Sequence, residues 1–248
     1  MISELIRSFC AAKEEKEKKE LCKTDEKSVR LQWLESTCKN LGIQYDLDDF
    51  TNNNCKFTNM YLKGSSNMFF SAHYDIFDIN SDNANDNSAS VINLLVLKKL
   101  APNINVLLFD GEEPPFFGAG SSHFTFNMYK KPKFILNLEL TGYGDEILIS
   151  NYSNGYLFNT FIEQYDAVEY KFPFNDATII KKIKPNIEIE TIVLRPKELD
   201  PVHFHNIHSK KDSINTINTS HMENLVNQVL LPLTKETGFM TYRKFMMN

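Results

Sequence analysis

The chain has 248 residues, 42% of them hydrophobic and 24% charged, with a formal net charge of -5. That length carries a sizeable core without staples, and the acidic balance offers no basic footprint for nucleic acid. No run of about eighteen apolar residues is present to span a membrane.

The opening Met1-Ile2-Ser3-Glu4-Leu5-Ile6-Arg7 lacks the charged-then-apolar plan of a secretory signal, so a cytoplasmic location is expected, with a secreted mature form as the alternative. Leu5, Ile6 and Phe9 form an apolar side to the first helical stretch. Lys13 to Glu20 is nearly all Lys and Glu, a solvated helix face. Residues 1–22 are therefore set apart as a charged N-terminal helical segment, and removal of Met1 to Glu20 is expected to cost modest stability. Thr24-Asp25-Glu26-Lys27 has the form of a capping box for a helix running to Lys39. Cys10, Cys22, Cys38 and Cys55 lack zinc-thiolate spacing and are expected to be reduced and structural, with a disulfide as the alternative.

Asp46 to Phe57 is polar and turn-rich, a loop or an irregular edge strand. Strands are then expected at Asn59–Lys63, Met68–Ala72, Ile104–Phe109, Phe134–Leu138, Glu146–Ile149 and Ile187–Leu194. Between them, helices are expected at Ser90–Leu100, Ser121–Met128 and Gly155–Gln164, Thr178–Lys182 is a short helical or irregular segment, and Thr219–Leu233 closes the chain as a helix. Strands apolar on both faces and joined by helices predict a single α/β domain, with a mostly parallel, mixed sheet sandwiched between helices.

Chemistry-bearing side chains gather where such a sheet presents its ligands, beyond the carboxyl ends of the strands. His73 follows one core strand, Glu112-Glu113 another and Glu139 a third, while Asp86 precedes an apolar helix and His208 lies in a late loop. Adjacent buried carboxylates are costly without a cation or a proton-transfer task. The pattern predicts a metal-dependent hydrolase with two cations, in which Glu113 ligates metal and Glu112 moves a proton. Asp75, two residues past His73, is placed to orient its imidazole.

These residues resemble peptidase family M28, the zinc peptidases whose fold also includes glutaminyl-peptide cyclotransferases. His73-Tyr74-Asp75 matches the family's His-x-Asp, and Asn85-Asp86-Asn87-Ser88-Ala89-Ser90 its Asp-Asn-Ala-Ser-Gly-like segment. Glu112-Glu113 with Gly118 and Gly120-Ser121, then Asn137-Leu138-Glu139-Leu140-Thr141-Gly142, follow in family order. Asn175-Asp176 resembles the family's Ser-Asp, and His208 with Asp212 its late His then Asp. The motifs span roughly Asn59 to Leu233, so residues 23–248 are read as an M28-like catalytic domain.

The resemblance implies two Zn²⁺, both ligated by Asp86. It assigns Glu113 and His208 to one, His73 and Glu139 to the other, with Glu112 as general base and Asp75 behind His73. It also implies a cis peptide between Asp86 and Asn87. Glu139 replaces the usual Asp, and its longer arm is expected to loosen the cation it shares with His73. Ser90 replaces a frequent Gly. His203 and His205 are read as pocket lining or surface loop. Phe116, Phe117, Tyr143 and Phe204 are candidates for an apolar specificity pocket or for ordinary packing. The function implied is an aminopeptidase acting on short peptides. The alternatives are a cyclotransferase with one zinc and a non-catalytic binding module of the same fold.

Overall fold

The computed structural model describes residues 1–13, 27–124, 132–197 and 206–235. Helix α1 (Ile2–Ala11) buries Ile2, Ile6, Phe9 and Cys10, a stripe at helical spacing that joins the main core. Most of the charged stretch after it, including Thr24 to Glu26 of the expected capping box, lies outside the described residues. Helix α2 (Val29–Leu41) is capped instead by Ser28, whose side chain accepts from the Leu31 amide. It ends at Gly42, where φ is 69° and a side chain would be disfavoured.

The polar stretch expected as a loop or irregular edge is a regular hairpin, in which β1 (Tyr45–Asn52) pairs antiparallel with β2 (Cys55–Leu62). Asn53 and Asn54 at its tip have φ of 50° and 63°. Asparagine tolerates that conformation, which a two-residue turn between twisted strands requires. Acidic residues along β1 hid its alternation, and they suit a strand at the sheet margin.

The remaining elements follow the expected alternation, apart from a two-residue strand at Val168–Glu169 that was not expected. They are β3 (Met68–His73), α3 (Ala89–Leu100), β4 (Asn105–Phe109), α4 (Ala119–His123), β5 (Phe134–Leu138) and β6 (Glu146–Ile149). Then come α5 (Tyr156–Tyr165), β7 (Val168–Glu169), α6 (Asp176–Ile183), β8 (Glu188–Arg195) and α7 (Thr219–Asn224), which stays helical to residue 235. Helix α4 starts two residues before the expected Ser121, and the stretch from residue 125 to Met128 lies outside the described residues.

The strands form one mixed sheet in the order β1-β2-β4-β3-β5-β8-β6-β7. Within it β4, β3, β5 and β8 are mutually parallel, and antiparallel strands flank them on both sides. Every residue of β3, β4 and β5 is buried, which explains their unbroken apolar runs. Phe70, Ala72, Val106, Leu108 and Leu136 meet helices α1, α2, α3 and α7 on one face. Phe69, Leu107, Phe109 and Ile135 meet Ala177 and Ile180 of α6 on the other. The chain is thus a single α/β domain with helices on both sides of the sheet.

Helix α1 belongs to that core. Phe9 is fully buried, 4.8 Å from the Trp33 ring, and the buried Arg30 guanidinium lies 4.5 Å over its face. Phe9→Ala is expected to cost about 3–5 kcal/mol, read as a lower denaturant midpoint. An unchanged midpoint would show that α1 contributes little to the fold.

Cys10 and Cys38 are free and buried, as structural thiols should be. Cys55 departs from the expectation of a reduced set, because it is disulfide-bonded. Its partner lies outside the described residues. Among the described residues no helix is long and apolar enough to cross a membrane.

Candidate metal centre

Three parallel neighbours in the sheet deliver side chains to one edge. His73 is the last residue of β3, Glu112 and Glu113 stand just past β4, and Glu139 follows β5 directly. Asp86 comes from the segment Ala84–Ser88 that runs into α3, and His208 from the turn before α7. The structure brings all of these expected residues together.

Asp86 sits between the two imidazoles. Its Oδ1 lies 3.3 Å from His73 Nε2, and its Oδ2 lies 3.1 Å from His208 Nε2. Glu139 Oε2 approaches the same nitrogen of His73 at 3.4 Å, and Glu113 Oε2 approaches that of His208 at 3.2 Å. Two clusters therefore share one carboxylate, His73–Asp86–Glu139 and His208–Asp86–Glu113. Glu112 Oε2 is 4.0 Å from His73 Nε2, outside both sets.

Neighbouring groups hold each of these side chains. Asp75 Oδ1 lies 3.3 Å from His73 Nδ1. The same carboxylate accepts the Glu112 amide at 3.1 Å and the Glu113 amide at 3.0 Å, so it positions the acidic pair as well as the imidazole. Glu139 accepts from Asn87 Nδ2 at 2.6 Å and from Asn137 Nδ2 at 2.9 Å, which restrains its longer arm. The Asp86–Asn87 peptide is cis, as the resemblance implied. Ser90, in place of the frequent Gly, packs its hydroxyl 2.9 Å from that of Thr141. Gly120 lets α4 lie against β4, since a Cβ there would fall 2.4 Å from the Asp110 carbonyl oxygen.

Asp212 does more than its place after His208 suggested. Its two oxygens accept the backbone amides of Asn85 at 2.7 Å and Asp86 at 3.0 Å, tying the turn of His208 to the segment of Asp86. An Asn at this position can accept only through its carbonyl oxygen, leaving an amide without its partner. Asp212→Asn is expected to weaken metal binding about 10–100-fold, measured by chelator competition. Wild-type affinity in that variant would deny Asp212 the positioning task.

Without a cation these carboxylates resist ionising together. Burial raises Glu112 to about 10 despite His73, and Asp176, Glu139 and Glu113 add to the rise. Burial and Asp86 carry Glu113 to about 7. Burial disfavours the charged form of His208, yet Asp86 and Glu113 lift it to about 10. For Asp86 burial acts upward, but His208 and His73 prevail and hold it well below the usual carboxylate range.

The donor set fits divalent metal. Both oxygens of Glu113 are buried without an aligned hydrogen bond, an arrangement that favours a cation over a protein donor. Ligand atoms of His73, Asp86 and Glu113 all lie within 4.8 Å of one another. The 3.1–3.4 Å spacings inside each cluster match the separation of about 3.4 Å between two ligands of one tetrahedral zinc.

One acid was not placed in the site beforehand. Asp176, the first residue of α6, is fully buried with neither oxygen in an aligned hydrogen bond, and burial raises its pKa to about 7 against the lowering influence of His73 and Ser121. It interacts electrostatically with His73, Glu139 and Glu112. Its resemblance to the family's Ser-Asp was the available signal, but no strand end flagged it. The aromatic candidates divide. Phe116 packs edge-on against Phe57 at 4.8 Å, so it serves a small core, while Phe117 is 57% exposed. Tyr143 is partly buried, and Phe204, His203 and His205 lie outside the described residues.

Residues 59–231 match the model of Peptidase family M28. The fold is similar to that of a glutaminyl cyclase from Tannerella forsythia, with a TM-score of 0.72 and 14% identity over 92% of this chain and 95% of that one. LapA aminopeptidase of Legionella pneumophila aligns with a TM-score of 0.63 and 14% identity, over 90% of this chain and 68% of that one. BSAP, a zinc aminopeptidase from Bacillus subtilis, gives 0.57 at 18% identity, over 74% of this chain and 51% of its own. The chain therefore spans about half of that enzyme. No curated protein matches significantly by sequence.

Proposed function

The chain belongs to peptidase family M28, and on that premise we propose that it is a di-zinc aminopeptidase that removes amino-terminal residues from short peptides. The observation that carries this reading is Asp86, with one oxygen turned to His73 and the other to His208. His73, Asp86 and Glu139 would hold one zinc, and Asp86, Glu113 and His208 the other. Bound there, zinc brings the pKa of a water near neutrality and polarises a carbonyl.

The chain's own residues supply the rest. Glu112 stands beside the ligands without joining either cluster, so its carboxylate takes the proton of the attacking water and passes it to the leaving amine. Asp75 fixes both the His73 ring and the backbone that carries Glu112 and Glu113. Asp176 extends the acidic wall, which favours a substrate with a free ammonium end. The disulfide at Cys55 favours an oxidising compartment over the cytoplasm.

A second reading is a glutaminyl cyclotransferase with one zinc. It is favoured by the likeness to the Tannerella forsythia enzyme over nearly the whole of both chains. The complete His73–Asp86–Glu139 cluster speaks against it, as does Glu112 against a merely binding module. The test is a panel of short peptides assayed beside a glutaminyl peptide in the presence of zinc. Release of amino-terminal residues, abolished by chelator and restored by zinc, supports the aminopeptidase. Cyclised glutaminyl product without released residues would replace it with the second reading.

A further inference from the structure

The two imidazoles are held in different ways. His73 ends a central strand, its side chain is 2% exposed, and Asp75 stands 3.3 Å behind its Nδ1. His208 lies in a turn at a φ of 60°, and its side chain is 36% exposed. Among the described residues no hydrogen bond engages its Nδ1. What meets the ring is Phe77, stacked on it with centroids 3.9 Å apart and planes 11° from parallel.

Phe77 reaches the ring from a well-anchored loop. Ile76 before it is 4% exposed. After it, Asn83 Nδ2 donates to the Asp78 carbonyl at 2.7 Å and the Ser81 amide to the same oxygen at 3.1 Å. The turn of His208 is anchored separately, through Asp212 beneath Asp86. Fixing that turn does not set the plane of the imidazole, whose Nε2 meets Asp86 and Glu113, and a metal-ligating imidazole ordinarily needs a group that does so. A flat aromatic face can do this by contact, where His73 has a carboxylate.

We propose that Phe77, by stacking on the imidazole of His208, is the positioning residue that sets the affinity of the cation held by His208, Glu113 and Asp86. This rests on the two-cation reading of the site. It also places the looser ion with the more exposed His208, rather than with Glu139, whose longer arm is held by Asn87 and Asn137.

The test is zinc affinity by chelator competition in wild type, Phe77→Leu and Phe77→Tyr, with the melting temperature of the metal-free proteins alongside. Phe77→Leu should weaken one of two bound zincs about tenfold, with the metal-free melting temperature near wild type, and Phe77→Tyr should restore the affinity. Anomalous scattering at limiting zinc should show the lost occupancy beside His208. Equal weakening of both zincs, lost occupancy beside His73, or wild-type affinity in Phe77→Leu would overturn the proposal. Should Phe77→Leu fail to fold, Phe77→Val and Phe77→Met are read by the same criteria. Absence of zinc binding in wild type would instead remove the two-cation reading itself.

Discussion

Glu112→Gln is expected to lower kcat by about 10²–10⁴-fold while zinc content stays at the wild-type level. Glu112 is buried beside the ligands, 4.0 Å from His73 Nε2, and among the described residues no ion pair joins it to His208. The amide keeps the shape and removes the proton acceptor, so the loss should fall on turnover with KM little changed. Stopped-time assays of amino-terminal release, with elemental analysis of the same samples, read both quantities. Near-normal turnover at full zinc would deny Glu112 the role of base. Loss of zinc together with activity would make it a ligand.

Asp86→Ala should abolish zinc binding in both clusters and reduce activity to background, because among the described residues Asp86 alone pairs with both imidazoles. The change also withdraws one of the carboxylates that raise His73 and His208, the others being Glu139, Glu112 and Asp75 for His73 and Glu113 for His208, and leaves Glu112, Glu113 and Glu139 in the buried site. Isothermal titration with zinc, beside a thermal melt to verify folding, checks this. A folded variant that keeps one zinc at wild-type affinity would show that the two clusters do not depend on a common ligand.

Much of this architecture was legible because its strands are extreme. β3, β4 and β5 are buried on both faces, so their apolar runs stood out and the polar residues at their ends marked one edge of the sheet. His73, Glu112, Glu113 and Glu139 followed from that edge. Asp86 and His208 belong to irregular segments, and it was the ordered family motifs that drew them in. The β1–β2 hairpin was missed because its outer strand lies at a margin and carries acids where a buried strand would be apolar. Ser28 took the cap expected of Thr24 because local capping patterns do not register where a helix begins to pack. Asp212, Asn87 and Asn137 were legible as motif residues, but their task of gripping Asp86 and Glu139 depends on contacts between distant segments. Phe77 gave no signal at all, since a stack between residues from two loops leaves no periodicity.

The central claim is that Asp86 joins two zinc ions, and zinc-anomalous diffraction from crystals grown with excess zinc tests it most directly. The expected result is two peaks, one beside each oxygen of Asp86, with His73 and Glu139 at the first and His208 and Glu113 at the second. A single peak among Asp86, Glu113 and His208, with His73 and Glu139 engaged in protein hydrogen bonds, would contradict the account and move the cyclotransferase reading to the front.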